Sequence, residues 1–228
     1  MCKRTVCPRP LNIKGGDLPM ITLALAKGRT AKDSIALLRE AGIQFADFHE
    51  DTRKLIFYDN DRKIKMLFVK AVDVPTYVEK GAADLGIVGK DNILEAQTDT
   101  YELLDLQLGK CKFVVAGLKE QPIRLTPNLT VASKYPTVAK KFFAENDIPV
   151  ETIKLNGSVE LAPLIGMSDV IVDIVETGRT IKENGLKIIE EVDQISTRLI
   201  VNKASFATKT DSIKQFIKQL RSALEVKQ

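Results

Sequence analysis

Val170-Ile171-Val172-Asp173-Ile174-Val175-Glu176-Thr177-Gly178-Arg179-Thr180-Ile181 joins a β-branched run to a polar turn and a short helix signal. After the apolar run Val170 to Val172, the stretch Val170 to Val175 as a whole has the β-branched content of a buried strand. Thr180 with Glu183 three residues on fits a capping box, so a helix is expected from Thr180, and Asn184-Gly185 stops it after about one turn. A helix that short buries little, which leaves its N-terminus, with free N–H groups and a favourable dipole for anions, as the useful part. Gly178 permits the close turn, and Thr177 and Thr180 add hydroxyl donors. Asp173 and Glu176 would repel a bare phosphate but suit ribose hydroxyls or a magnesium ion beside it. The combination describes a cradle for a sugar phosphate, with phosphoribosyl pyrophosphate the best match. An ordinary strand-to-helix turn whose threonines merely cap fits the same spacing.

Outward from this turn the chain alternates strands and helices, the pattern of an α/β protein with mainly parallel sheets. Upstream, strands are expected at Ile21 to Ala26, Leu55 to Tyr58, Lys65 to Lys70 and Leu85 to Val88. Helices are expected at Thr30 to Ala41, closed by Gly42, from Asp73-Val-Pro-Thr to Gly81, and from Lys90 to Glu95. Tyr101 to Leu118 is long and apolar, broken only around Leu108-Gly109-Lys110, and reads as extended chain passing into a second lobe. Strands at Leu129 to Ala132 and Val150 to Leu155 and helices at Pro136 to Asn146 and Ser158 to Gly166 follow. Lys187 to Asn202 reads as the return crossing. Asp211 to Val226 closes as an amphipathic helix with Ile213, Phe216, Ile217, Leu220 and Leu224 on one stripe. Two crossings imply two lobes around a central cleft: residues 20–107 plus 196–228 as the first, and 108–195 as the second. Residues 1–19, rich in Pro, Gly and basic side chains, read as a flexible extension.

The 228 residues, 44% hydrophobic and 28% charged, suffice for a sizeable core. A net charge of +4, with basic residues scattered among 30 acids, argues against a nucleic-acid surface. No apolar run reaches the ~18 residues needed to span a bilayer, and no export signal is evident, so a cytoplasmic protein is expected. Cys2, Cys7 and Cys111 have no metal-ligand spacing and suit a reducing compartment. His49, the single histidine, reads as a surface or structural residue.

The stretches ALAKGRT, TRKLIF, DVPTYVEKGAADLGIVGKD, ASKYP, LNGSVELAP and DIVETGRTIKENGL occur in an order that resembles the ATP phosphoribosyltransferase family, from Ile21 to about Ser205. The resemblance implies a two-lobed fold like the type II periplasmic binding proteins. It also implies the first reaction of histidine biosynthesis: transfer of the phosphoribosyl group from phosphoribosyl pyrophosphate to N1 of the adenine of ATP. Longer family members carry a further C-terminal regulatory domain, and this chain looks like the short form. That form works with a histidyl-tRNA-synthetase-like regulatory subunit in a hetero-oligomer, and self-association is expected as well.

The implied reaction separates charge, the ribose gaining oxocarbenium character as pyrophosphate departs, so magnesium and fixed cations should supply most of the stabilisation. Adenine N1 carries a free lone pair, and no base is required. The resemblance places the donor's 5-phosphate on Glu176 to Thr180, with Asp173 or Glu176 on the ribose hydroxyls and Arg179 either on phosphate or in solvent. The two substrates bring about nine negative charges, so several cations must converge. Lys27, Gly28 and Arg29 after the first strand, and Arg53, are the candidates for the polyphosphates, with Arg29 and Arg53 as the catalytic pair. Ser158 and Glu160 are candidate donor contacts, with an N-cap as the alternative for Ser158. Asp91 is a candidate on the ATP side, again with capping as the alternative. Lys134 and Tyr135 line another strand-to-helix loop. A different phosphoribosyltransferase and a two-lobed solute-binding protein are the competing classes. The separation of Asp173 from Glu176 and the missing export signal weigh against them.

Overall fold

The computed structural model describes residues 19–49, 52–120 and 125–226. The extension expected over residues 1–19, with Cys2 and Cys7, lies outside the described residues except for Pro19, and so does the side chain of Arg29. The first part of the chain runs β1 (Ile21–Lys27), α1 (Arg29–Glu40), β2 (Ile56–Tyr58), β3 (Ile64–Lys70), α2 (Val74–Glu79), β4 (Leu85–Gly89), α3 (Lys90–Ala96) and β5 (Tyr101–Asp105). It then enters a second sheet through β6 (Cys111–Leu118), β7 (Leu129–Ser133), α4 (Pro136–Glu145), β8 (Val150–Lys154), α5 (Leu161–Leu164), β9 (Val170–Val175), α6 (Arg179–Glu183) and β10 (Leu186–Ile195). The return strand β11 (Thr197–Val201) rejoins the first sheet, followed by α7 (Lys203–Thr208) and α8 (Thr210–Glu225).

Strand order is β2-β3-β1-β4-β11-β5 in one sheet and β10-β6-β9-β7-β8 in the other. The parallel pairing expected from the alternation holds at β3-β1-β4 and β9-β7-β8, where helices connect the strands. The expectation of mainly parallel sheets needs correction to mixed sheets, because β2 returns directly to β3 and the crossing strands β5, β6, β10 and β11 pair antiparallel.

The central strands β1, β4, β6 and β9 are covered on both faces, which explains their nearly continuous apolar sequence. In β1, Leu23 and Leu25 face a core shared with α1 and α8, whereas Ala24 and Ala26 face Val74 and Val78 of α2. Small residues on that side let the helix approach closely. In β6, Phe113 and Val115 pack under α4 while Val114 and Ala116 face Val159, Ala162 and Ile181. The stripe of α8 belongs to its own lobe: Ile213, Phe216 and Leu220 are buried in the first core, with Ile217 and Leu224 packed against it.

The starts of the two short helices of the second lobe differ from expectation in ways that bear on the site. The short helix after β9 begins at Arg179, not Thr180, because Gly178 takes a left-handed conformation (φ 76°) and closes the turn one residue early. The Thr180–Glu183 capping box does not form, and Glu183 instead accepts from Arg179 Nε at 2.7 Å. The helix expected from Ser158 to Gly166 shrinks to Leu161–Leu164. Ser158 is left-handed (φ 49°), and a helix begun there would drive the Pro163 ring into the carbonyl of Val159. Ser158 therefore serves as a turn residue whose carbonyl accepts from Leu161, and its N-cap reading falls.

Candidate active site

In both sheets the carboxyl ends of the parallel strands face the space between the lobes, where α/β proteins gather ligands. Lys27, Lys70 and Gly89 end β1, β3 and β4, and Lys134 follows β7. With Thr30, Val72, Asp91, Asn92, Cys111, Tyr135, Ile174 and Thr197 among its walls, they line a cavity of about 390 Å³. The lobes are joined on one side by paired crossing segments, where Leu106 N–H donates to Thr197 O and Thr197 N–H to Leu108 O, both at 2.9 Å.

On the first lobe, Lys27 extends its Nζ over the Phe68 ring, 5.3 Å from the centroid, and borders this cleft. Gly28 follows with φ 120°, a conformation closed to residues with a Cβ, and it stands at the head of α1 without any side-chain cap. Ala31 N–H donates to the Gly28 carbonyl at 3.1 Å, and no side chain caps the amides ahead of it. Asp91 is buried, with Oδ2 accepting from Tyr135 Oη at 3.0 Å and from Asn92 Nδ2 at 2.8 Å. Gly89 makes this possible, since a Cβ there would lie 2.1 Å from Asp91 Oδ1. Asp91 is not the side-chain cap of α3. Arg53 is exposed on the segment before β2, outside the residues lining the cleft, and His49 is exposed as well.

On the second lobe, Asp173 is the group most altered by its surroundings. Burial pushes its carboxyl up to about 6, the backbone N–H of Ile174 opposes the rise, the Glu160 charge adds to it and Lys134 offsets part of it. Burial and the Asp91 charge also push the Tyr135 phenol upward, so it stays a protonated donor. Beside Asp173, the turn Glu176 to Thr180 presents exposed Thr177 and Thr180, with Thr177 Oγ1 accepting from Arg179 N–H at 3.4 Å. Arg179 lies along its own helix, paired with Glu183. Of the residues singled out in the sequence, Lys27, Asp91, Lys134 and Tyr135 line this cavity. Asp173 stands next to the lining residue Ile174 and within electrostatic reach of Glu160 and Lys134, whereas Gly28, Ser158 and the Glu176–Thr180 turn lie outside the lining.

A family model described as HisG, ATP phosphoribosyltransferase, matches residues 70–222. The chain belongs to the ATP phosphoribosyltransferase family. The ATP phosphoribosyltransferase of Oceanobacillus iheyensis is 54% identical over 204 residues, covering 90% of this chain and 98% of that protein. That of Clostridioides difficile is 55% identical over 199 residues, covering 87% and 95%. Among solved structures, the ATP phosphoribosyl transferase (HisG:HisZ) complex from Thermotoga maritima superposes with a TM-score of 0.80 at 35% identity, over 90% of this chain and 99% of that one. The alkanesulfonate-binding protein SsuA from Xanthomonas axonopodis pv. citri, bound to MOPS, shares the fold at a TM-score of 0.54 and 11% identity, over 92% and 74% of the two chains. The two-lobed architecture of ATP phosphoribosyltransferases is therefore that of the periplasmic binding proteins, as the sequence resemblance implied.

Several cleft residues carry no local sequence signal. Lys70, Asn92, Cys111 and Thr197 reach the cavity from four separate segments. The rule that ligands meet strand carboxyl ends would have found Lys70, which closes a parallel strand.

Proposed function

We propose that this chain transfers the 5-phosphoribosyl group of phosphoribosyl pyrophosphate to N1 of ATP's adenine, releasing pyrophosphate. The supporting observation is the half-buried Asp173, its pKa pushed to about 6, three residues before the strand-end turn Glu176–Thr180 and next to Ile174, which lines the same cleft as Lys27 and Lys134. The amides and hydroxyls of Thr177, Gly178 and Thr180 would hold the 5-phosphate, while Glu176 and Asp173 take ribose hydroxyls. Arg179 would have to leave Glu183 to join them, an exposed pair that costs little to break. Ser158 and Glu160 border the donor. Lys27, Gly28, Arg29 and Arg53 would meet the polyphosphates, with Arg29 and Arg53 drawing charge off the departing pyrophosphate. Asp91 would face the ATP side through the edge of its hydrogen-bonded network. Water exclusion between the lobes strengthens each of these charge contacts as the ribose ionises.

Among the described residues no group of three or more His, Cys, Asp or Glu side chains stands ready to enclose a metal ion. A magnesium carried in on the diphosphate suits the site better, since Mg²⁺ keeps waters and substrate oxygens as ligands. Asp173 and Glu160, two carboxylates close enough for one to raise the other's pKa, are the groups that would face it. The ion would neutralise charge on the leaving group.

The likeness to the Thermotoga maritima HisG:HisZ complex supports a hetero-oligomer in which a histidyl-tRNA-synthetase-like subunit regulates this chain. Exposed Leu161, Leu164, Ile165 and Met167 at the surface of the second lobe support a further protein contact, and we include self-association. Among the described residues no helix is long and apolar enough to cross a membrane. The reading places the enzyme in the cytoplasm with its nucleotide substrates. Pyrophosphate release that requires both ATP and phosphoribosyl pyrophosphate is the expected result. Release supported by orotate or a free purine base in place of ATP would reassign the reaction.

A further inference from the structure

Helix α4 of the second lobe supplies no cap of its own. Tyr135 stands at its N-cap without a side-chain hydrogen bond to it, and Pro136 at the first helical position has no N–H. The first free amides are those of Thr137 and Val138. Both donate to Oε2 of Glu95, at 2.9 and 3.2 Å, and the Thr137 hydroxyl donates to Oε1 at 3.1 Å. Glu95 lies on α3 of the first lobe. The cap therefore comes from the opposite lobe, a carboxylate set on the positive end of a helix.

A second tie runs parallel to it, from Tyr135 Oη to Asp91 one turn earlier on α3. The turn between these ties is also fixed to its own sheet. Ser133 Oγ accepts from Tyr135 N–H at 2.8 Å and donates to the carbonyl of Val172 on β9 at 2.6 Å. The next residue along β9 is Asp173, and the Glu176–Thr180 turn follows. Glu95 is thus connected through α4, the Lys134-Tyr135 turn, Ser133 and β9 to the proposed donor site. Its own helix begins directly after Gly89, at the edge of the cleft wall that carries Asp91.

We propose that Glu95 is a positioning residue: by capping α4 across the lobes it sets the register between the donor site on the second lobe and the acceptor site on the first. This rests on the reaction assigned above. Ribosyl C1 and adenine N1 are presented from opposite lobes, so a lobe shift of about 1 Å suffices to cost on the order of 10²-fold in rate. The donor's 5-phosphate and ribose keep their second-lobe contacts, and the first-lobe cations act mainly on the charge that develops as pyrophosphate departs, so ground-state binding of the donor is left nearly intact.

The test uses the full chain with its regulatory subunit. Glu95→Ala is expected to lower kcat about tenfold or more while the KM for phosphoribosyl pyrophosphate stays within about twofold. Glu95→Gln is expected to retain kcat within about threefold, because its carbonyl oxygen can accept both amides and its NH₂ can face the Thr137 hydroxyl. Hydrogen exchange at the Thr137 and Val138 amides should quicken in the alanine variant and not in the glutamine variant. Should the alanine variant fold poorly, Tyr135→Phe cuts the second tie without opening a cavity and should lower kcat with the same unchanged donor KM. Full kcat in Glu95→Ala, equal impairment of the two Glu95 variants, or a parallel loss of donor affinity overturns the inference alone, provided the wild type is active. A wild type that forms no phosphoribosyl-ATP overturns the reaction assignment and this inference with it.

Discussion

Replacing Asp173 by asparagine should make the free protein more stable at pH 8 while disabling it as an enzyme. The carboxyl is raised from 3.8 to about 6 in the fold, chiefly by burial. Between these values the native state holds a proton that the unfolded chain has lost, so stability falls as pH rises through the window. Below pH 3.8 the penalty is absent, and above about 6 it is fully present. A shift of about two units corresponds to roughly 3 kcal/mol at most, and partial exposure reduces this to on the order of 1–2 kcal/mol. Asparagine keeps an oxygen for the Ile174 N–H, now bonded at 2.8 Å, and carries no charge to desolvate. Urea unfolding of wild type and variant at pH 4 and pH 8 measures the difference directly. The variant should gain about 1–2 kcal/mol at pH 8, about 2–8 °C in Tm, and close to nothing at pH 4. A difference independent of pH, or a loss of stability at pH 8, would show that Asp173 is comfortable where it lies and remove the main physical sign of a cation-seeking site.

Thr177→Ala combined with Thr180→Ala should weaken phosphoribosyl pyrophosphate binding about 10²-fold by calorimetry, since bonds to a charged group are worth roughly 1.5–3 kcal/mol each, with Tm nearly unchanged. Unaltered affinity would remove the phosphate from this turn. Arg53→Ala should cut kcat about 10²-fold, as loss of a transition-state charge contact does, and leave the unfolding midpoint within ~0.5 kcal/mol because the residue is exposed. Near-normal steady-state kinetics would return Arg53 to the solvent. Gly89→Ala should cost about 1–3 kcal/mol in chemical denaturation and lower activity, because its Cβ would stand 2.1 Å from Asp91 Oδ1 and push that carboxylate off Tyr135. Wild-type stability in this variant would mean that Asp91 adapts without loss.

Val170 to Val175 declared itself because its five β-branched residues, interrupted only by Asp173, mark a strand largely buried on both faces, and β9 has those bounds. The crossing segments were legible for a related reason: each is an extended run too long for one sheet, interrupted where the chain changes lobes. Pairing direction was harder to read. Strand-helix alternation reports the parallel pairs that helices connect, but nothing local in Lys187 to Asn202 says that both halves run antiparallel to their neighbours. At the site, the short-range signals were those of a strand end, a glycine and paired threonines. Glu95 was invisible because its partners are 42 and 43 residues away and its sequence context is an unremarkable helix. The capping box at Thr180 misled because Glu183 had a second partner available in Arg179, four residues back on the same helix face.

The departures from ideal local chemistry converge on the cleft. Helix α1 lacks a side-chain cap, α6 begins from a left-handed glycine, Asp173 is desolvated next to another acid, and α4 takes its cap from the opposite lobe. The uncapped start of α1 and the desolvated Asp173 are incomplete within their own elements, and under the proposed reaction both would be served by one partner, a magnesium-bearing polyanion offering charge to amides and a cation to carboxylates. The fourth decides whether that partner is met by both lobes at once. A site that only bound its ligand could place all these groups on one lobe. Division of them across a capped, hydrogen-bonded seam is what a reaction between two separately held substrates demands, since the attacking nitrogen and the departing oxygen must lie on opposite sides of one sugar carbon.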